Sequence, residues 1–164
     1  MMLATMASTP VGLPTGRRSL DELASQVLRQ GRWLRIRAHG GSMTPFLRDG
    51  DVALVTPAAG GDIRVGDVVC FETAPGRLFL HRVVERQGTR VVAKGDALIS
   101  TTVIGLHQVL GKVQAIERRG RVKRLDTRAA RWRNRAIAFL SPALSRLSSL
   151  AVGLRRFVRA VPRD

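Results

Sequence analysis

A chain of 164 residues with 45% hydrophobic and 24% charged side chains has room for one ordinary domain and a tail, and is neither disordered throughout nor fibrous. Its one cysteine, Cys70, cannot close an intrachain disulfide, which excludes a secreted disulfide scaffold and suits a reducing compartment. The net charge of +16, from 28 Lys+Arg against 12 Asp+Glu, points to anionic partners, and 14 of those basic residues lie in residues 115–164 beside only three acids.

Residues 1–18 read as a weakly ordered leader. No positive segment precedes an apolar stretch there, and Pro10 and Pro14 interrupt the hydrophobicity, so a signal peptide is not expected and the expected location is cytoplasmic or peripheral to the cytoplasmic membrane. Residues 19–126 read as a β domain preceded by a helix. Ser19 and Glu22 have capping-box spacing, and Leu20, Leu23, Ala24, Val27 and Leu28 recur at helical period until Gly31 stops the helix. The period then falls to two: Leu34, Ile36 and Ala38 alternate with Arg35, Arg37 and His39, with Trp33 on the arginine face, up to Gly40-Gly41. DVALVTP (51–57), DVVCFET (67–73), RLFLHRVVER (77–86), TRVVAKGD (89–96) and HQVLGKVQAIERRGRVKRLD (107–126) are β-branched runs separated by Gly, Pro and Asp. The predicted fold is mostly β: a compact, curled antiparallel domain with a short N-terminal helix and a basic helical tail. No alternation with long helices supports a parallel doubly wound sheet.

The tail, residues 127–164, carries Trp132, Ala136, Phe139, Leu140, Ala143 and Leu147 mostly three or four apart, which predicts an amphipathic helix kinked at Pro142. Two placements stay open: residues 127–160 lie on an anionic membrane surface, or their apolar stripe packs on the β domain with the arginines solvated. Membrane insertion of residues 136–154 ranks third, because the stretch contains Pro142 and Arg146.

Chemistry concentrates first in GGSMTPFLRDGDVALV, residues 40–55. Two glycines before Ser42 allow a sharp turn with amides free to face a ligand, so Ser42 can be presented as a nucleophile, although a turn serine with a local hydrogen bond has the same signature. A hydroxyl needs a base, and the histidines are His39, His81 and His107. His81 is the best candidate, because the strand RLFLHRVVE aims it rigidly and an imidazole is largely neutral near pH 7. Lys94, Gly95 and Asp96 follow a strand directly. They read either as a turn with a solvated ion pair or as a site-shaping segment in which Asp96 orients His81. No metal-ligand spacing, P-loop or GxGxxG is present, so neither a metal nor a nucleotide cofactor is expected.

Together, GGSMTPFLRDGDVALV, IRVGDVVCF, LHRVV, VAKGDAL and VLGKV, in that order over about residues 33–116, resemble the signal peptidase I and LexA-like superfamily of serine peptidases. The resemblance implies Ser42 as nucleophile and His81 as base, as in the histidine subtype of endoplasmic-reticulum and archaeal signal peptidases. It further implies an acyl-enzyme on Ser42, an oxyanion or substrate site at Gly41, Ser42 and Met43, and cleavage of a protein or peptide after small residues. Ala97–Thr102 hold no acid, which leaves Asp96 as the local orienting candidate. Two other functions compete. One is a catalytically idle or LexA-like regulatory module whose basic tail contacts nucleic acid; the other is an accessory subunit that docks through the tail.

Overall fold

The computed structural model describes residues 17–74 and 77–139. Helix α1, Arg17–Arg29, leads into strand β1, Leu34–Arg37, and β2, Val52–Pro57. There follow β3, Val68–Ala74; β4, Arg77–Gln87; β5, Arg90–Lys94; β6, Thr101–Gly105; β7, Val109–Arg118; and β8, Arg121–Arg124. Residues 128–139 are helical and are called α2. All strand pairs are antiparallel in the order β1-β2-β7-β3-β4-β5-β6, with β8 added to the far end of β7. Bulges at Leu54/Val55, Cys70/Phe71, Glu72/Ala74 and Val83/Glu85 curl the sheet, because an extra residue on one strand increases local twist.

The curl leaves two cores. Leu28, Met43, Leu47, Val55, Cys70 and Leu110 belong to one; Ile63, Val69, Phe71, Val83, Val91 and Ile104 belong to the other. The alternation of β3 assigns successive residues to each, so Cys70 and its partner Leu80 face one side while Val69 and its partner His81 face the other.

The mostly β architecture with a helix at each end agrees with the sequence expectation, and three details differ. α1 begins two residues before Ser19, which therefore lies inside the first turn. Its Leu20 and Leu23 are exposed, and Ser25 and Leu28 are the residues turned inward. β6 was not among the β-branched runs; it pairs with β5 from Lys94↔Thr101 to Arg90↔Gly105 and forms the edge of the sheet. In α2 the apolar stripe does not pack on the β domain: Trp132 and Phe139 are 76% and 66% exposed, while Ala130, Asn134 and Ala138 are the buried residues. Small residues win this face because the backbones come close. A Cβ on Gly66, at φ +98°, would lie 2.9 Å from the Arg135 amide nitrogen. Leu140, Pro142 and the remainder of the tail lie outside the described residues.

Candidate functional site

Residues 38–51 close into a loop between β1 and β2. The Ala38 amide donates to the Asp51 carbonyl at 2.8 Å and the Gly50 amide to the Ala38 carbonyl at 2.9 Å. Inside it, Gly40 takes φ +85°, which an L side chain rarely tolerates, and its amide donates to Asp49 Oδ1 at 2.8 Å. Thr44 and Leu47 donate to the Gly41 and Met43 carbonyls, and buried Met43 and Leu47 anchor the segment in the core. Ser42, half-buried, sits at the start of this pinned turn. Neither its amide nor that of Met43 donates a hydrogen bond among the described residues, whereas Gly41 is engaged only through its carbonyl.

Ser42 lines a cleft of about 360 Å³. Ile36, Ala38, Met43, Leu47, Cys70, Leu78, Phe79 and Leu80 form its apolar walls, and Asp21, Arg37, His39 and Arg77 stand around them. An open cleft with apolar walls beside a serine is suited to apolar side chains of a peptide. Cys70 is fully buried, and burial pushes its thiol up to about 12, so it is a neutral wall atom and not a second nucleophile. Asp21 of α1 reaches the cleft, where its Oδ2 accepts from the Leu78 amide at 3.3 Å.

The main chain of Ser42 rests on the turn after β5. Its carbonyl accepts from the Ala97 amide at 2.9 Å, and a Cβ added to Gly95 would lie only 2.6 Å from that oxygen. The last β4–β5 pair is Arg82↔Lys94, so His81 and Gly95 are the next residues along the two strands. The Ser42 main chain and His81 thereby both lie at the end of the β4–β5 pairing, although His81 does not line the Ser42 cleft. His81 is 8% exposed, with its ring centroid 5.7 Å from Phe71 and 6.1 Å from Phe79. Burial lowers its pKa from the ordinary 6.5, against the opposing charge of Asp96. Its Nδ1 is buried without a hydrogen-bond partner among the described residues, and no hydrogen bond joins it to Ser42.

Asp96 is held elsewhere. Arg82 grips both its oxygens, Nε to Oδ1 at 2.8 Å and Nη2 to Oδ2 at 2.7 Å, and gives Nη1 to the Gly66 carbonyl at 2.9 Å. Both side chains are at most 5% exposed, so the pair is buried and the solvated-turn reading of this segment does not describe it. Asp96 reaches His81 through its charge, not through a hydrogen bond to Nδ1. Lys94 is also buried, at 3% exposed, and burial lowers its pKa.

Sequence reasoning passed over Arg82 and Arg118. The Arg82 guanidinium stacks 4.3 Å from the Phe46 ring centroid, four residues beyond Ser42. Arg118 donates to the Phe46 carbonyl at 3.1 Å and to Asp51, whose carboxyl it holds below the usual range. A signal for Arg82 was present, since it interrupts the apolar run of LHRVV; Arg118 lies in a segment too rich in arginine to stand out. Of the other histidines, His39 is exposed at the cleft with Nδ1 3.9 Å from Asp49, and His107 lies in a single turn, Leu106–Gln108, stacked over Gly105.

Among the described residues no group of three or more His, Cys, Asp or Glu is arranged to hold a metal, and no helix is long and apolar enough to cross a membrane. Compared with known families, residues 23–127 match signal peptidase, peptidase S26. No curated protein matches the chain significantly.

Proposed function

The chain belongs to the signal peptidase family, peptidase S26, and we propose that it is a serine endopeptidase in which Ser42 is the nucleophile and His81 the general base, acting after small residues of a precursor peptide or preprotein. The observation that carries this reading is the seat of Ser42: the serine opens an apolar cleft while its carbonyl rests on Gly95, at the end of the strand pair that bears His81.

In the proposed reaction His81 takes the Ser42 proton as the hydroxyl oxygen attacks the scissile carbonyl carbon. The negative oxygen that develops meets the uncommitted amides of Ser42 and Met43. Collapse expels the amine with the proton held by His81, and water, activated by the same imidazole, releases the acyl group. Burial keeps the resting ring neutral and thus able to accept a proton, while the charge of Asp96 favours the imidazolium once it forms. The missing Ser42–His81 hydrogen bond is compatible with a resting peptidase, where such contacts are commonly long and tighten on substrate.

The test is labelling by a fluorophosphonate probe, together with cleavage of a peptide library carrying small residues at the scissile position. Ser42→Ala and His81→Ala should each lose both activities, and the wild-type rate should rise with pH with a midpoint below 6.5. Activity retained in Ser42→Ala would sink the peptidase assignment. A midpoint well above neutrality that disappears in Lys94→Met would transfer the base to buried Lys94.

A further inference from the structure

A second cavity, of about 570 Å³, opens between α2 and the loop that precedes β3. Arg64, Arg86, Arg131 and Arg135 surround it, with Trp132 beside them and Asn134 buried against the domain. None of the four guanidiniums forms an ion pair among the described residues. The one carboxylate lining the cavity, Asp67, accepts from the backbone amide of Arg64, and Arg86 gives Nη1 to the Ile63 carbonyl. Asp126, which feels the charge of Arg131, is bound by Arg124. Four positive groups around one opening repel each other, and an anion of matching size relieves that repulsion.

Asn134 adds an independent requirement. It is 5% exposed and its Oδ1 has no hydrogen-bond partner, an uncommon state for a buried acceptor. A ligand that satisfies this site brings a hydrogen-bond donor close to its negative charge. The third requirement is apolar. Trp132 and Phe139 stand out from the same helix, and Arg135 lies 5.8 Å from the Phe139 ring centroid. Exposed indole and phenyl rings beside arginines suit the boundary between lipid headgroups and acyl chains. The close contact of α2 with Gly66 fixes the helix that carries these groups against the loop that carries Arg64.

We propose that this cavity binds an anionic phospholipid with a hydroxylated headgroup, the arginines taking its phosphodiester, Asn134 accepting from the headgroup hydroxyl, and Trp132 lying along the acyl boundary. Guanidinium forks match phosphate oxygens in geometry as well as charge. The site is separate from the Ser42 cleft, and the proposal does not depend on peptidase activity.

The test uses the full chain with Trp33→Phe, which leaves Trp132 as the single indole. Its emission is titrated with short-chain phosphatidylglycerol below the micellar threshold, then with phosphatidylcholine of the same chain length, with inorganic phosphate and with a short DNA duplex. Phosphatidylglycerol should give a saturable change, with each of the others at least about tenfold weaker. Arg131→Gln/Arg135→Gln should weaken it by about tenfold or more, whereas Arg121→Gln/Lys123→Gln, an equal loss of charge on exposed β8, should change it by less than about twofold. Equal affinity for inorganic phosphate would overturn the lipid assignment in favour of a phosphate site, and equal affinity for DNA would overturn it in favour of a nucleic-acid surface. No saturation, or equal loss in both double variants, would reduce the cavity to diffuse surface charge and refute the proposal.

Discussion

Replacing Gly95 by alanine tests the placement of Ser42 without touching any side chain of the proposed machinery. Gly95 does not have a positive φ, so the substitution acts through contact alone. The new Cβ would lie 2.6 Å from the Ser42 carbonyl oxygen and 2.9 Å from two atoms of Leu98. Leu98 can rotate away, but the carbonyl is main chain, tied to Ala97 at 2.9 Å and to a loop closed at both ends. Since a comfortable carbon–oxygen contact is about 3.3 Å, Ser42 must retreat by roughly 0.7 Å. Displacements near 1 Å at a reacting centre cost on the order of 10²-fold in rate, equivalent to about 2.7 kcal/mol in the barrier. The loss of stability should be smaller: overpacking costs about 1–3 kcal/mol, offset by about 0.4–1 kcal/mol from stiffening the unfolded chain. The assay pairs the second-order rate of fluorophosphonate labelling with urea unfolding of the same sample. Gly61→Ala is the control, because its added Cβ meets nothing within 4 Å and its φ is not positive. A Gly95→Ala protein that labels at the wild-type rate would refute the reasoning that the seat of the Ser42 carbonyl positions the nucleophile.

Three further outcomes follow from the charges around the site. Because burial depresses the folded pKa of His81, the unfolded ring binds a proton more readily; that contribution to stability is complete above about 6.5 and is lost as pH falls through the lower folded value, so the urea midpoint of wild type, compared with His81→Phe, should decline more steeply over that window. Arg82→Met strands the Asp96 carboxylate in the interior and should cost about 3–5 kcal/mol by urea unfolding, with much of the loss recovered in Arg82→Met/Asp96→Leu; a loss equal in single and double variants would show that stacking on Phe46, not the ion pair, carries the effect. Asp51, held low chiefly by its hydrogen bonds from Arg118, contributes stability that is present above 3.8 and disappears as pH falls through its folded value; Asp51→Asn should be less stable than wild type at neutral pH and converge with it in acid, and a constant gap across that range would contradict the assignment.

The strands were legible because each carries its own signal: β2 alternates in burial and β5 nearly does, while β3 and β4 hold short continuous runs buried on both faces, all bounded by turn residues. β6 escaped because its TTVIG follows KGDALIS, where turn residues dominate, although four of its five residues are β-branched. α2 shows the limit of periodicity. Spacing marks a helix, but which face packs depends on the partner: Gly66 lies against the backbone at Asn134 and Arg135, so the buried face holds Ala130, Asn134 and Ala138 and the aromatic rings of Trp132 and Phe139 are turned out. At the site, the order of motifs drew attention to Ser42, His81 and Asp96, whereas the partner of Asp96 could not be read. A guanidinium buried at Arg82 is tolerable only because a carboxylate 14 residues later lies across the β4–β5 hairpin, a relation created by the register.

In a chain with 28 basic residues, charge by itself does not locate function; what distinguishes one arginine from another is whether its charge is already matched. Arg82 and Arg118 are matched, by Asp96 and Asp51, and they meet at Phe46 from two directions: one guanidinium stacks on its ring and the other donates to its carbonyl. Both carboxylates are rooted in the framework, Asp96 in the turn after β5 and Asp51 at the entry to β2, so the two arginines clamp the segment just beyond Ser42 between fixed points. Such arginines hold the shape of the loop that carries Ser42, and for Arg82, which is fully buried, the matched Asp96 offsets the desolvation cost. The arginines of α2 and the loop before β3 have the opposite character: exposed, without ion pairs and beside an unsatisfied amide. The same residue type therefore serves as internal bracing beside the Ser42 cleft and stands unmatched around the second cavity, and the difference lies in the carboxylates that the fold supplies to each.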